Sequence, residues 1–115
     1  MSVRIYHNPR CSKSRETLAL LEQRGLTPEI IKYLDTPPDA DQLKVLLELL
    51  GMRSARELMR TKEEEYRTLG LAEVTDEAEL IAAMVAHPRL IERPIVVKGE
   101  RAALGRPPEQ VLDIL

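Results

Sequence analysis

Val3-Arg4-Ile5-Tyr6-His7-Asn8-Pro9-Arg10-Cys11-Ser12-Lys13-Ser14-Arg15 opens the chain and sets its architecture. Val3 to Tyr6 alternates, with Arg4 in the middle, and reads as a short buried strand. Asn8-Pro9 marks a turn, and Pro9 holds the residue before it extended. A helix then starts near Cys11 or Ser12 and runs to about Arg24, where Gly25 supplies a C-terminal stop. Leu18, Leu20 and Leu21 give this helix its apolar face. Glu29 to Leu34 follows as a second strand, so the first ~35 residues form a β-α-β unit with parallel strands.

Asp35-Thr36-Pro37-Pro38 ends that unit. Asp39 to Leu50 predicts a helix with Leu43, Leu46, Leu47 and Leu50 on one face, stopped by Gly51. Ser54-Ala55-Arg56-Glu57 has the form of a capping box and opens a short helix through Arg60. A brief helix is predicted around Glu63 to Thr68, and a further one after Thr75 as cap, closed by His87-Pro88. The chain then changes character: Ile95-Val96-Val97 is a strand, Lys98-Gly99-Glu100 a turn, and Arg101 to Leu104 its antiparallel partner. Pro107-Pro108 starts a last helix whose buried face is Val111, Leu112 and Leu115. The order is β-α-β, a helical insertion at about 39–87, then β-β-α, with no repeat or linker to mark a second autonomous domain.

Composition narrows the function. The 115 residues carry a net charge of −2, with no Trp or Phe and only three Tyr, which weakens both polyanion attraction and base stacking. One cysteine excludes an internal disulfide, and one Cys with two His makes a structural zinc site improbable. No apolar run approaches the ~20 residues of a membrane span, and the N-terminus lacks a signal-peptide pattern. A reducing, cytoplasmic setting is expected, with neither nucleic acid nor membrane as partner.

The chemistry centres on Cys11. A thiol at a strand-to-helix junction meets free backbone N–H groups and the positive end of the helix dipole, both of which favour the thiolate. Arg10, Lys13 and Arg15 add cations nearby in sequence. Arg15 lies one helical turn beyond Cys11, and its fork geometry suits an oxyanion. His7 is placed to tune the thiol, and Ser14 to donate its hydroxyl to it. Arg60, Arg93 and Arg106 each fall at a junction of predicted elements, where distant charge can converge. These residues predict a nucleophilic thiol acting on an electrophilic oxyanion, and they leave the central atom of that oxyanion open.

His7-x3-Cys11-x3-Arg15, Leu58-Met59-Arg60, Ile91 to Val97 and Gly105-Arg106-Pro107 together resemble the glutaredoxin-dependent arsenate reductase family, a branch of the thioredoxin-like fold. The resemblance extends over essentially the whole chain, and Pro9 to Ser14 has the form typical of a housekeeping-type subgroup. It implies a single α/β thioredoxin-like domain with a mixed four-stranded sheet. It also implies a catalytic Cys11, a pKa-modulating His7, Ser14 near the thiol, and oxyanion-binding Arg60, Arg93 and Arg106, with Arg15 as a further local candidate. Pro94 would be the cis proline of that fold. The implied reaction reduces arsenate through a Cys11 arseno adduct, with no bound cofactor or metal, glutathione as co-substrate and glutaredoxin as partner. Two other readings stay open. One is a monothiol glutathione-dependent reductase of another substrate. The other is an interaction protein like the transcription regulators of this fold, which carry a Cys-x-x-Cys switch where this chain has Ser14.

Overall fold

A computed structural model describes residues 2–115, which form two compact units. The first comprises the residues up to Thr36 together with Arg93–Leu115, and the second is Pro37–Glu92.

In the first unit, β1 (Val3–Tyr6) lies between β2 (Glu29–Ile31) and β3 (Ile95–Lys98), and β4 (Arg101–Leu104) completes the sheet in the order β2-β1-β3-β4. β1 pairs parallel with β2, while β3 runs antiparallel to both β1 and β4. The sheet is therefore mixed, as the β-α-β and β-β halves of the sequence predict. Ile95, Val96 and Val97 are all buried, the pattern of a strand covered on both faces.

α1 (Ser12–Gln23) starts with Cys11 as its N-cap and ends at Gly25, whose φ of +77° is open to glycine at little cost. Gly25 N–H donates to the Glu22 carbonyl at 3.0 Å and Leu26 N–H to that of Leu21 at 3.1 Å, the paired bonds of a Schellman motif. Leu21, rather than the whole Leu18-Leu20-Leu21 group, is fully buried, in a cluster with Val3, Ile5, Val96, Val111 and Ile114. Each such aliphatic side chain contributes about 1.5–3 kcal/mol through burial.

Two elements of this unit differ from expectation. β2 stops at Ile31 instead of Leu34, because the Lys32 carbonyl accepts the N–H groups of Asp35 and Thr36, both at 2.9 Å, and turns the chain. The last helix, Pro108–Ile114, is 3-10 rather than α. Three residues per turn place Val111 and Ile114 in line, so Ile114 takes the core position expected of Leu112.

A close approach inside this unit yields a stability prediction. Gly105 N–H donates to the Pro94 carbonyl at 2.9 Å, and a Cβ on Gly105 would lie 2.4 Å from Thr17 Oγ1 and 2.8 Å from Pro94 Cγ. Gly105→Ala should cost about 1–3 kcal/mol by overpacking, read as a lower urea midpoint. Adding Thr17→Ala should recover only part of the loss, since the Pro94 contact remains.

The second unit is helical. Asp39 and Gln42 form a reciprocal capping box at the start of α2 (Ala40–Leu49), which buries Leu43, Leu46 and Leu47, while Leu50 is only half-buried at its C-cap. The predicted helix after Ser54 is a 3-10 turn, Ala55–Leu58, with the Ser54–Glu57 capping box in place. It ends before Arg60 because Met59 bridges to Ile91, with Arg60 N–H donating to Leu90 O and Glu92 N–H to Leu58 O, both at 2.7 Å. α3 (Glu64–Thr68) is close to its predicted place. α4 (Glu77–Ala86) is capped by Asp76 rather than Thr75, the Asp76 carboxylate accepting from Ala78 N–H. Arg56, half-buried, donates to the Tyr66 hydroxyl and to the Leu71 and Val74 carbonyls, tying the irregular stretch after Thr68 together.

Candidate active site

The site begins where β1 ends. His7 N–H donates to the Ile31 carbonyl at 2.8 Å, extending the β1–β2 pairing by one bond. The chain then turns through a loop held by four hydrogen bonds. The Asn8 carboxamide oxygen accepts Arg10 N–H at 3.0 Å, and the Asn8 carbonyl accepts Cys11 N–H at 3.0 Å. Asn8 N–H donates to Ser14 Oγ at 3.0 Å, and Arg15 donates to the Pro9 carbonyl at 2.9 Å. Asn8, which sequence reading treats only as a turn marker, is thus the hinge of the loop.

Sheet register brings distant residues to this loop. Tyr6 pairs with Ile95, and Ile95 with Leu104. Arg93-Pro94 therefore precedes, and Gly105-Arg106 follows, the strand ends that share an edge with His7. Arg106 donates to the Arg93 carbonyl at 3.4 Å. The Arg93–Pro94 peptide bond is cis, and so is Arg106–Pro107.

Cys11 is partly exposed. Burial pushes its thiol pKa up; opposing it are the backbone N–H of Ser14, the Arg93 charge, the backbone N–H of Lys13 and the Arg106 charge. The sum lies below the ordinary thiol value. The Cys11 side chain closes no capping hydrogen bond as the thiol, but the first-turn N–H groups of Ser14 and Lys13 are directed to its sulfur and favour the thiolate. The cations responsible are those from the far end of the chain. The side chains of Arg10, Lys13 and Arg15, adjacent in sequence, are not among the groups that lower the thiol.

Ser14 is fully buried, and its Oγ stands 2.7 Å from His7 Nδ1. This gives the serine a different role from direct donation to sulfur: its backbone N–H serves the thiolate while its hydroxyl engages the histidine. With Nδ1 unprotonated Ser14 donates to His7; with Nδ1 protonated the serine proton is released toward another acceptor.

Burial lowers the His7 pKa, and the charges of Lys32 and Arg15 lower it further. Between that depressed value and the ~6.5 of a free imidazole, the unfolded chain binds the proton that the folded one refuses. Stability from this group is full above pH ~6.5 and falls as pH drops below it. Urea midpoints compared at neutral and mildly acid pH should show a smaller acid loss in His7→Asn than in the parent.

Of the residues singled out from sequence, Cys11, His7, Ser14, Arg93, Arg106 and Pro94 all belong to the first unit. Arg15 is exposed, and its guanidinium holds the Pro9 carbonyl. Arg60 belongs to the second unit, where Glu63 Oε1 lies 3.5 Å from its guanidinium and equally 3.5 Å from that of Arg89. Lys32, whose charge reaches His7, has no sequence signature that would have marked it. Among the described residues no group of three or more His, Cys, Asp or Glu could hold a metal ion, and no helix is long and apolar enough to cross a membrane.

Residues 6–114 match the model of the ArsC family. A Haemophilus influenzae protein named arsenate reductase is 52% identical over the full length of both chains. The chain belongs to the ArsC family. A second relative, the Escherichia coli protein YfgD described as uncharacterized, is 60% identical over 98% of this chain and 96% of its own. A solved arsenate reductase from Vibrio cholerae superposes with a TM-score of 0.97 at 58% identity, covering 100% of this chain and 98% of that one. The ArsC architecture is thioredoxin-like, and the mixed four-stranded sheet described above is its framework.

Proposed function

We propose that this protein is an arsenate reductase of the glutaredoxin-dependent kind. The observation that carries the reading is a thiol lowered at an open helix start by the Ser14 and Lys13 N–H groups and by two arginines from the distant half of the chain, in a member of the ArsC family. A tetrahedral oxyanion and a thiolate repel each other, so a site for both needs cations beyond those that ionise the thiol. Arg93 and Arg106 supply them by binding oxyanion oxygens through paired N–H groups.

The Cys11 thiolate attacks arsenic(V), an As–S bond forms, and one arsenate oxygen leaves as water. Glutathione displaces a second oxygen and becomes the other sulfur on arsenic. A glutaredoxin thiolate then attacks the glutathione sulfur and forms a glutaredoxin–glutathione disulfide; the electron pair of the broken S–As bond stays on arsenic, now arsenic(III) on Cys11, and water displaces the Cys11 thiolate to release arsenite. The chain contains one cysteine, so the reducing thiols come from outside it.

Turnover of arsenate with glutathione, glutaredoxin and a coupled NADPH-consuming glutathione reductase tests the proposal. NADPH consumption that requires both arsenate and this protein is expected. Consumption unchanged when arsenate is withheld would reject arsenate as substrate.

A further inference from the structure

Thr17 is a polar residue of α1 with no exposed surface. It packs where the chain enters β3 at Pro94 and leaves β4 at Gly105: a Cβ on Gly105 would lie 3.0 Å from Thr17 Cγ2 and 2.8 Å from Pro94 Cγ. Arg93 and Arg106 are the next residues outward. Valine has nearly the same shape as threonine and would fill that space, so the buried hydroxyl needs a separate reason.

The hydroxyl donates to the Lys13 carbonyl at 2.7 Å. A threonine inside a helix commonly satisfies itself by bonding the carbonyl four residues back. Which carbonyl it takes is what matters at this position. The Lys13 C=O and the Ser14 N–H belong to one planar peptide unit, and that N–H leads the groups that favour the Cys11 thiolate. A donor on the oxygen draws electron density through the amide and makes its N–H a better donor in turn. Ser14 is fixed on its side-chain end as well, since Oγ accepts the Asn8 N–H at 3.0 Å and stands 2.7 Å from His7 Nδ1.

We propose that Thr17 is a positioning residue for the nucleophile: its hydroxyl holds and polarises the Lys13–Ser14 peptide that faces Cys11, while its methyl seats α1 against the Pro94–Gly105 contact. This deepens the reading of Cys11 as a reactive thiol and rests on it, but not on arsenate as substrate. The charges that act on Cys11, Arg93 and Arg106, are the same in every variant below.

Thr17→Ala and Thr17→Val both remove the hydroxyl, one with loss of bulk and one without, whereas Thr17→Ser keeps the hydroxyl and removes the methyl. Thiolate absorbance at 240 nm against pH, and the urea midpoint, are measured for each variant and the parent. The alanine and valine substitutions should each raise the thiol midpoint by about 0.3 pH units, roughly twofold in the ionisation constant, the share of a charge-assisted hydrogen bond that a polarising neighbour supplies. Thr17→Ser should keep the parent's thiol midpoint while its urea midpoint falls, which a purely structural role would not separate. A thiol midpoint unmoved in both Thr17→Ala and Thr17→Val overturns the inference, and so does one raised as far in Thr17→Ser. A parent midpoint at the free-thiol value would remove the reactive-thiol reading itself. A low parent midpoint that the alanine and valine substitutions leave in place would remove only the role of Thr17.

Discussion

Cys11→Ser is expected to lower arsenate turnover by at least about a thousandfold without lowering stability. The two halves of this expectation have separate causes. The Ser14 and Lys13 N–H groups and the Arg93 and Arg106 charges lower a thiol that starts within reach of neutrality. A serine hydroxyl starts so much higher that the same fields leave it protonated, and the nucleophile is lost. Stability moves the other way. Cys11 occupies the N-cap of α1 and makes no capping hydrogen bond, whereas serine is among the preferred N-caps, worth about 0.5–2 kcal/mol over a residue that caps nothing. A dead enzyme with an equal or higher urea midpoint is the expected pair of results. A serine variant that turns over at the parent's rate would remove Cys11 from the chemistry, and with it every thiol-based reading of this chain.

The second large effect concerns the arginines. Arg93→Ala and Arg106→Ala should each raise the Cys11 titration midpoint, followed as thiolate absorbance at 240 nm, because each removes a positive charge that favours the thiolate. The double variant should raise it further, since burial, which opposes ionisation, would then face only the backbone N–H groups. Activity should fall in two ways at once. The thiolate fraction at neutral pH decreases, which shifts the rising limb of the pH–rate profile to higher pH, and the KM for arsenate rises by about tenfold or more per arginine as charge-assisted hydrogen bonds are lost. Arg10→Ala is the control. It adjoins Cys11 in sequence but is not among the groups that lower its thiol, so its midpoint should stay with the parent's. A parent midpoint at or above that of a free thiol would defeat the argument from the start.

Short-range signals are legible in the sequence. Val3–Tyr6 is a strand and Arg101–Leu104 is the partner of Ile95–Lys98 because turn residues and alternation act within a few positions. Gly25 ends α1 through bonds that span five residues. The structure departs from the local pattern where two local solutions compete. Asp76 stands next to Thr75 and takes the cap, and Pro107-Pro108 starts a 3-10 helix that sets Val111 and Ile114 in the cluster with Leu21 and Val96.

For the candidate site, the sequence by itself determined the nucleophile and its local setting: one cysteine, at a strand-to-helix junction, flanked by His7 and Ser14. Arg10, Lys13 and Arg15 made the loop look electrically self-sufficient. Tertiary structure decided otherwise. The register Tyr6–Ile95–Leu104 carries Arg93 and Arg106 to the end of the sheet where Cys11 lies, while Arg15 is turned to the Pro9 carbonyl and Lys13 pairs with Glu16 at 3.7 Å. The physical reason is that a charge acts through distance and intervening dielectric, not through chain position. Neighbours in sequence can point into water, whereas residues some eighty or more positions away are delivered by backbone hydrogen bonds to the same end of the sheet, where their charges add to the first-turn N–H groups in favouring the thiolate.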